Sequence, residues 1–480
     1  MQDMIEKLAG LKLSLCQMAV IPGRPDENTT YIVREIKEAI KRRVDIIFFT
    51  ELGVSGYFIG DMFEDEAFLA DLSSRHREIE VATKGGITAI IGTFVPNFAT
   101  KGEDGRVRGL NSAVIYSNGA YIGHTVKTLQ PNYRIFRDDR HSFSLRKIAL
   151  EQNALPEDLL NPFALTTRDG RQVKLGLMLC EDMWHQDYCL NPGKILVING
   201  ADILCNVSCS PWTWQKNRKR HQIVKNLCGE CHVPFVYVNN TGVQNTGKNF
   251  MVFDGASTVY NPDGEIVFEV PPYASGSHDL ILGERMPPLP LKAQDDTKEL
   301  YEALRHGAQG FLELTPALMR RAIIGLSGGI DSSLAAALWV DVLGPENVIG
   351  VNMPSKYNAS ETRDDAQELA KNLGIEYLTH PIQEAVDVIA RATGVDEGTL
   401  AYENIQARVR MEVLAALAQK LNAFFPCNSN KVELAFGYGT QYGDLAGEIT
   451  LFGDLIKREI YQVADYMNKV VFKREVIPQR

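Results

Sequence analysis

Arg321-Ala-Ile-Ile-Gly-Leu-Ser-Gly-Gly-Ile-Asp-Ser-Ser-Leu-Ala-Ala-Ala-Leu-Trp-Val340 passes from a short apolar run, through a loop of glycine and serine, into an apolar helical pattern. The spacing predicts a strand over Arg321–Leu326 and a helix over Leu334–Leu343. Between them, Gly328 and Gly329 let backbone N–H groups approach an oxyanion, the serines add hydroxyl donors, and the helix start supplies favourable partial charge. The loop reads as an anion site, the plainer alternative being a strand-to-helix turn with no ligand. It lacks the Gly-Lys-[Ser/Thr] ending of the nucleotide P-loop, which argues against γ-phosphate transfer. Asp331 inside an anion loop calls for a cation, and Mg²⁺ bridging carboxylate and phosphate is the natural one.

Outward from this loop, the pattern alternates. A helix ends near Met319, the strand and helix already described follow, then strand Val348–Asn352, helix Thr362–Leu373 and strand Ile375–Thr379. That order predicts a parallel, doubly wound sheet with ligands at the strand C-termini. Upstream, the Pro-rich and then polar stretch Gly283–Asp296 is the linker candidate, giving domains 1–285 and 286–480. Short apolar strands recur before it, over Leu11–Val20, Val44–Thr50, Thr88–Val95, Ala113–Tyr116, Val173–Leu179, Ala201–Asn206 and Pro234–Asn239, with helical patterns between several of them. Asn261-Pro-Asp-Gly264 reads as the turn of a hairpin. A layered α/β sandwich is expected there.

With 480 residues, 45% of them apolar and 23% charged, the chain has the composition of an ordinary globular protein of two domains. A net charge of −10 excludes nucleic-acid binding as the main activity. The basic run Lys216-Asn-Arg-Lys-Arg-His221 reads as a solvated helix face. No stretch approaches the length of a membrane span and the start has no apolar signal core, so a soluble, cytoplasmic protein is expected. Eight cysteines are too few for a disulfide framework. Cys205-x3-Cys209 and Cys228-x2-Cys231 have zinc-like spacing, but the first pair closes a strand and the second ends a helix, which favours neither zinc nor redox use.

Three reactive side chains stand at predicted strand ends: Glu51 after Val44–Thr50, Lys127 after Gly119–Thr125 and Cys180 after Val173–Leu179. A cysteine beside a lysine gains thiolate character, a glutamate can take and return a proton, and an ammonium can stabilise a tetrahedral oxyanion. Such a trio would hydrolyse an amide through a thioester. Taken alone, Cys180 reads more readily as a buried core thiol than as a nucleophile, and His185 as a rim or core histidine.

Two sets of motifs carry resemblances. Phe49-Thr-Glu-Leu-Gly-Val-Ser-Gly-Tyr57, Lys127-Thr-Leu-Gln-Pro-Asn-Tyr-Arg-Ile-Phe136 and Leu179-Cys-Glu-Asp-Met-Trp184 resemble the three motifs of the nitrilase superfamily, in the version fused to NAD synthetases. The 325–333 loop is similar to that of the N-type ATP pyrophosphatases. Within them, Val351–Ser360, Tyr402-Glu-Asn-Ile-Gln-Ala-Arg-Val-Arg410, Asn430–Tyr438, Tyr442-Gly-Asp444 and Gly453–Lys457 follow the order of the NAD synthetase family.

The resemblance spans residues 10 to 475. It implies an N-terminal αββα nitrilase-like sandwich and a C-terminal doubly wound parallel sheet of the adenine nucleotide alpha hydrolase type. It implies Glu51, Lys127 and Cys180 as a glutaminase triad, with Tyr133, Ser210 and Lys216 binding glutamine. ATP would be bound by Gly325, Leu326, Ser327, Gly328, Gly329, Ile330, Asp331, Ser332 and Ser333, with Arg408, Asn428 and Lys457. Deamido-NAD would face Asn404 and Glu433, and Mg²⁺ would be held by Asp331 and Glu433. The implied reaction is ATP-driven amidation of deamido-NAD by ammonia freed from glutamine and carried along an enclosed path, in a homodimer joined through the synthetase domain. Amidation of another carboxylate, or a glutaminase subunit that only binds nucleotide, are the alternatives. The sequence departs from the family at Asp138, where a glutamate is usual, and at Phe425-Pro-Cys-Asn-Ser429, which replaces an apolar strand and a Thr-Gly-Asn turn. It ends at Pro478-Gln-Arg480, where the family continues with a Pro-Ser-Ala-Glu segment, so a fragment or an impaired synthetase half is implied.

Overall fold

The computed structural model describes residues 6–478 apart from 103–104, 246, 248, 284, 291–294 and 358–359. The polar end of the linker candidate and part of the Val351–Ser360 segment therefore lie outside the described residues, as do Gln479 and Arg480. The chain divides into two compact units, residues 1–293 and 294–480.

In the first unit, β1 (Lys12–Gln17), β2 (Ile46–Phe48), β3 (Thr88–Lys101), β4 (Val107–Ser117) and β5 (Ala120–Val126) form one sheet. The second sheet holds β6 (Phe163–Thr166), β7 (Gln172–Leu179), β8 (Ile203–Ser208) and β9 (Phe235–Asn239). Chain order continues through the ribbon β10 (Thr241–Asn245) and β11 (Phe250–Asp254), then β12 (Thr258–Tyr260), β13 (Ile266–Glu269) and β14 (Gly276–Ile281). The strand orders are β14-β1-β2-β3-β4-β5 and β13-β12-β9-β8-β7-β6. β1, β2 and β3 are parallel, and so are β7, β8 and β9, so each sheet gathers strand C-termini at one edge.

The period of two along each strand decides what every face buries. Leu13, Leu15, Ile46, Phe48 and Ile90 point into a core shared with Leu175, Leu177, Cys205 and Val207 of the other sheet. Their neighbours Cys16, Ile47, Phe49, Ala89 and Ile91 pack instead against Ile32, Ile36 and Ala39 of helix Pro25–Lys41 and Leu69, Leu72 and Ile79 of helix Glu66–Ala82. Helices Pro192–Ile198 and Lys216–Cys231 contribute Leu196, Ile223, Val224 and Leu227 to the second sheet's packing. Helix, sheet, sheet, helix is the layer order expected from the sequence.

The hairpin β3–β4 reaches further than its apolar pattern. It continues past Val95 to Lys101 and starts at Val107 instead of Ala113. The β3 half of the extension is largely exposed and the β4 half is buried or half-buried but mixes Val, Arg, Gly, Leu, Asn and Ser, so backbone ladder bonds hold it and side-chain hydropathy carries no clear signal of it.

In the second unit β15 (Ala322–Gly325), β16 (Val348–Asn352) and β17 (Glu376–Thr379) pair in parallel, in that order. On the far side of β15 lies an isolated parallel bridge, Ala322 to Phe424, so chain order reverses at β15. The Phe425–Ser429 stretch makes only a further bridge, Cys427 to Thr450. Pro426 has no N–H to give a ladder, which explains the shortened strand. Helices cover both faces. Val386, Tyr402, Ile405 and Val409 pack on Ile323, Ile349 and Val351, while Trp339 meets Phe424 edge-on at 4.8 Å.

Candidate active site

Lys127 and Cys180 directly follow β5 and β7, Glu51 lies three residues past the end of β2, and the fold brings them together inside the first unit. Glu51 and Lys127 are fully buried and Cys180 is 7% exposed. Lys127 Nζ donates to Glu51 Oε1 at 2.7 Å and to Asp138 Oδ2 at 2.7 Å. Asn111 Nδ2 donates to the same Glu51 oxygen at 2.8 Å, and the Cys209 amide to Glu51 Oε2 at 2.9 Å. The Glu51 amide reaches the Ser208 carbonyl at 3.3 Å, so the ends of β2 and β8 are tied across the two sheets. Asp138, one methylene shorter than the family's glutamate, still reaches Lys127 and takes a further hydrogen bond from Tyr57.

Burial would push the Lys127 ammonium down, but Asp138 and Glu51 outweigh it and hold it well above its usual range. The Cys180 thiol goes the other way from the sequence reading. Burial raises it, Glu51 and Glu181 raise it further, and Lys127 and Lys216 only partly offset them. The expected lowering of the thiol by the neighbouring lysine is therefore corrected: burial pushes the Cys180 thiol up, and Lys127, paired with two carboxylates at hydrogen-bond distance, offsets this only in part. Cys180 has φ +42°, the left-handed region, on the 3₁₀ turn after β7. A non-glycine held there marks an over-determined turn of the kind that presents nucleophiles.

Asp182 makes that turn rigid. Its two oxygens accept from the amides of Leu129 at 2.7 Å, Thr128 at 3.0 Å and Leu179 at 3.0 Å, linking the residues after Lys127 to those around Cys180. Asn111, Tyr57, Glu181 and Asp182 were not singled out from sequence. Glu181 and Asp182 follow the nucleophile directly and so were within reach; Asn111 and Tyr57 acquire a role only by tertiary contact.

Of the residues matched to glutamine binding, Lys216 Nζ donates to Ser210 Oγ at 2.6 Å and to the Pro211 carbonyl at 3.1 Å. Tyr133 donates to Glu181 at 3.0 Å. The basic run containing Lys216 is not a solvated face. Arg220 is 3% exposed, lies 4.2 Å over the Tyr237 ring and donates to the Ala256 carbonyl at 3.0 Å. Its burial turns one side of the helix inward, which the charge pattern concealed. His185 is half-buried and bonded to Asn191. Among the described residues the only close group of three metal-capable side chains is Asp61, Glu64 and His141. The two carboxylates there already pair with Arg140 and Arg106, and no cysteine takes part.

In the second unit the 325–333 loop is internally braced. Gly328 has φ +85°, the Gly329 amide donates to Ser327 Oγ, and Ser332 and Ser333 hydroxyls donate to the Gly329 carbonyl at 2.9 Å. Ile330 and Asp331 begin the helix Ile330–Leu343, whose N-terminus faces the loop. Leu326 donates its amide to the Val351 carbonyl, and Gly325 closes β15. Lys457, first residue of helix Lys457–Tyr466, is ion-paired with Asp331. Asn430 donates to Asp331 Oδ1 at 3.4 Å, and its amide donates to Glu433 Oε2 at 3.0 Å in a capping box, so one residue joins both acids. Asn404 and Arg408, one helical turn apart, both engage the following loop: Asn404 Oδ1 accepts from Thr440 at 2.7 Å, and Arg408 Nε donates to the Gln441 carbonyl at 3.2 Å. Asn428 has a buried amide oxygen without a hydrogen-bond partner.

Two family models match the chain, carbon-nitrogen hydrolase over residues 12–284 and NAD synthase over residues 310–480. The glutamine-dependent NAD(+) synthetase of Synechocystis sp. is 31% identical, with 97% of this chain and 82% of that protein covered. This chain belongs to the glutamine-dependent NAD(+) synthetase family. The NAD(+) synthetase of Xanthomonas campestris is 32% identical over 96% of the chain and 79% of its own length. The structure of glutamine-dependent NAD(+) synthetase from Acinetobacter baumannii with adenosine diphosphate superposes with a TM-score of 0.83 at 27% identity, covering 98% of this chain and 84% of that one. Both halves of an NAD(+) synthetase of this family are thus present. Among the described residues no helix is long and apolar enough to cross a membrane.

Proposed function

We propose that the chain hydrolyses glutamine at Cys180 and uses the ammonia to amidate deamido-NAD with ATP, giving NAD, AMP, pyrophosphate and glutamate. The observation that carries the first half is the buried Glu51–Lys127 pair beside the Cys180 thiol. Glu51 takes the Cys180 proton as sulfur attacks the carboxamide carbon, and the Lys127 ammonium faces the oxyanion as it forms. Returned by Glu51, the proton leaves on nitrogen as the C–N bond breaks, and water activated by the same carboxylate cleaves the thioester. Tyr133, Ser210 and Lys216 hold the substrate.

In the second half, the nicotinate carboxylate attacks the ATP α-phosphorus and pyrophosphate departs into the Ser327–Ser333 loop; ammonia then displaces AMP. Lys457, Arg408 and Asn428 serve ATP, and Asn404 and Glu433 the dinucleotide. Asp331 and Glu433 offer hard oxygen donors linked through Asn430, and these residues would hold Mg²⁺. When bound, Mg²⁺ offsets the phosphate charge that repels an incoming carboxylate. The substrates are small molecules, the setting is the cytoplasm, and the family resemblance supports a homodimer through the second unit.

Cys180→Ala tests the division of labour. It is expected to make NAD from free ammonia at near wild-type rate and none from glutamine, measured as NAD and glutamate together. Loss of both activities, or glutamate without AMP in the wild type, overturns the reading.

A further inference from the structure

Gln244, in the ribbon strand β10, is 2% exposed, although its neighbours Val243 and Asn245 are half-buried and exposed. Two paired strands alone make a marginal sheet, and this side chain ties the ribbon to its surroundings at both ends of its carboxamide. Oε1 accepts from the amides of Tyr57 at 3.1 Å and Phe58 at 3.2 Å, and Nε2 donates to Cys209 Sγ at 3.5 Å. The two converging N–H donors decide which end of the group is oxygen.

From each end a path of hydrogen bonds runs to the triad. Tyr57 donates to Asp138 Oδ1, Asp138 Oδ2 accepts from Lys127 at 2.7 Å, and Lys127 donates to Glu51 Oε1 at 2.7 Å. On the other side the Cys209 amide donates to Glu51 Oε2 at 2.9 Å. The two paths meet at Glu51, so Gln244, Tyr57, Asp138, Lys127, Glu51 and Cys209 close a ring. Within it Gln244 is the one side chain that donates at one end and accepts at the other without carrying charge. Its hydrogen bonds reach none of Cys180, Tyr133, Ser210 or Lys216 among the described residues.

We propose that Gln244 is a positioning residue of the glutaminase site, setting the Lys127 ammonium through Tyr57 and Asp138 and the Glu51 carboxylate through Cys209. The assignment rests on the glutaminase reading of the first unit. Asp138 has one methylene fewer than the family's glutamate with which to reach Lys127, so the Tyr57 hydroxyl that fixes its other oxygen bears directly on that reach. A shift of about 1 Å in the proton acceptor or the oxyanion partner is enough to cost about 10²-fold in rate. Substrate affinity is spared, because Tyr133, Ser210 and Lys216 stay in place, and the loss falls on kcat.

The test is a double-variant cycle in the full chain, with Gln244→Met, Tyr57→Phe and both together, assayed with glutamine and with free ammonia below their melting temperatures. Each single substitution should lower kcat for glutamine about 10- to 100-fold with KM nearly unchanged and ammonia-driven NAD synthesis intact. The double variant should fall little further than Gln244→Met alone, because both act through Asp138. Gln244→Asn, polar but one methylene too short to hold both ends, gives the same split should Gln244→Met fail to fold. Losses that multiply in the double variant, a loss carried by KM, or an unchanged kcat overturn the proposal. A wild type that makes NAD from ammonia and none from glutamine would instead sink the glutaminase reading itself.

Discussion

At Cys180 burial is the largest influence, with Glu51 and Glu181 acting in the same direction and Lys127 and Lys216 against it. Lys127 is drawn to Glu51 and Asp138, and it offsets only in part the burial that pushes the thiol up. Glu51→Gln separates thiolate content from catalysis. Removing that negative charge should lower the Cys180 pKa and raise its alkylation rate by iodoacetamide at pH 8 several-fold. Glutamine turnover should fall about 10²- to 10⁴-fold because the proton acceptor is gone. Slower alkylation would show that Glu51 does not hold the thiol protonated. The three residue types at strand ends were legible as a possible amidase. The sign of the thiol's shift was not, because it is set first by how deeply the folded chain buries Cys180 and then by which charged side chains folding brings near it.

Elements act here by bringing strand ends within bonding distance. Gly92 in β3 shows how tight that approach is. A Cβ added there would overlap the Thr50 carbonyl oxygen and crowd the Glu51 Cα, while the Gly92 carbonyl accepts the Gly53 amide at 2.8 Å. Gly92→Ala should therefore displace the Glu51 turn, costing about 1–3 kcal/mol in the first unit. It should also abolish glutamine-driven NAD synthesis at temperatures where ammonia-driven synthesis survives. Melting curves and the two assays check it, and an unchanged melt with full glutaminase activity would refute it. The apolar strands were readable from alternation and the 325–333 loop from its glycines. Less so was the β3–β4 extension, whose mixed residue types leave no pattern, or the inward turn of Arg220, whose cation–π and carbonyl partners are distant in sequence.

For the molecule as a whole, half-buried histidines make stability depend on acid. His76 and His306 are each pushed down to about 4 and His221 to about 3, burial being the largest cause in each. Unfolded, they would titrate near 6.5, so between about 6.5 and 5 the unfolded chain binds more protons and stability falls as pH falls. Asp182, raised to about 7 by burial, works in the opposite sense over the same window. The difference between wild type and His221→Asn in urea midpoint is the readout: the variant should lose less stability from pH 6.5 to 5, and parallel profiles would refute the assignment. Sequence alone determined the two-part α/β organisation, the glycine-serine loop between a strand and a helix, and the three reactive residue types at strand ends, because these rest on local periodicity, glycine placement and short motifs. Only the tertiary structure decided the direction of the Cys180 shift, the double pairing of Lys127 and the hydrogen bonds of Gln244, because electrostatics in a buried pocket depends on distances between residues far apart in the chain.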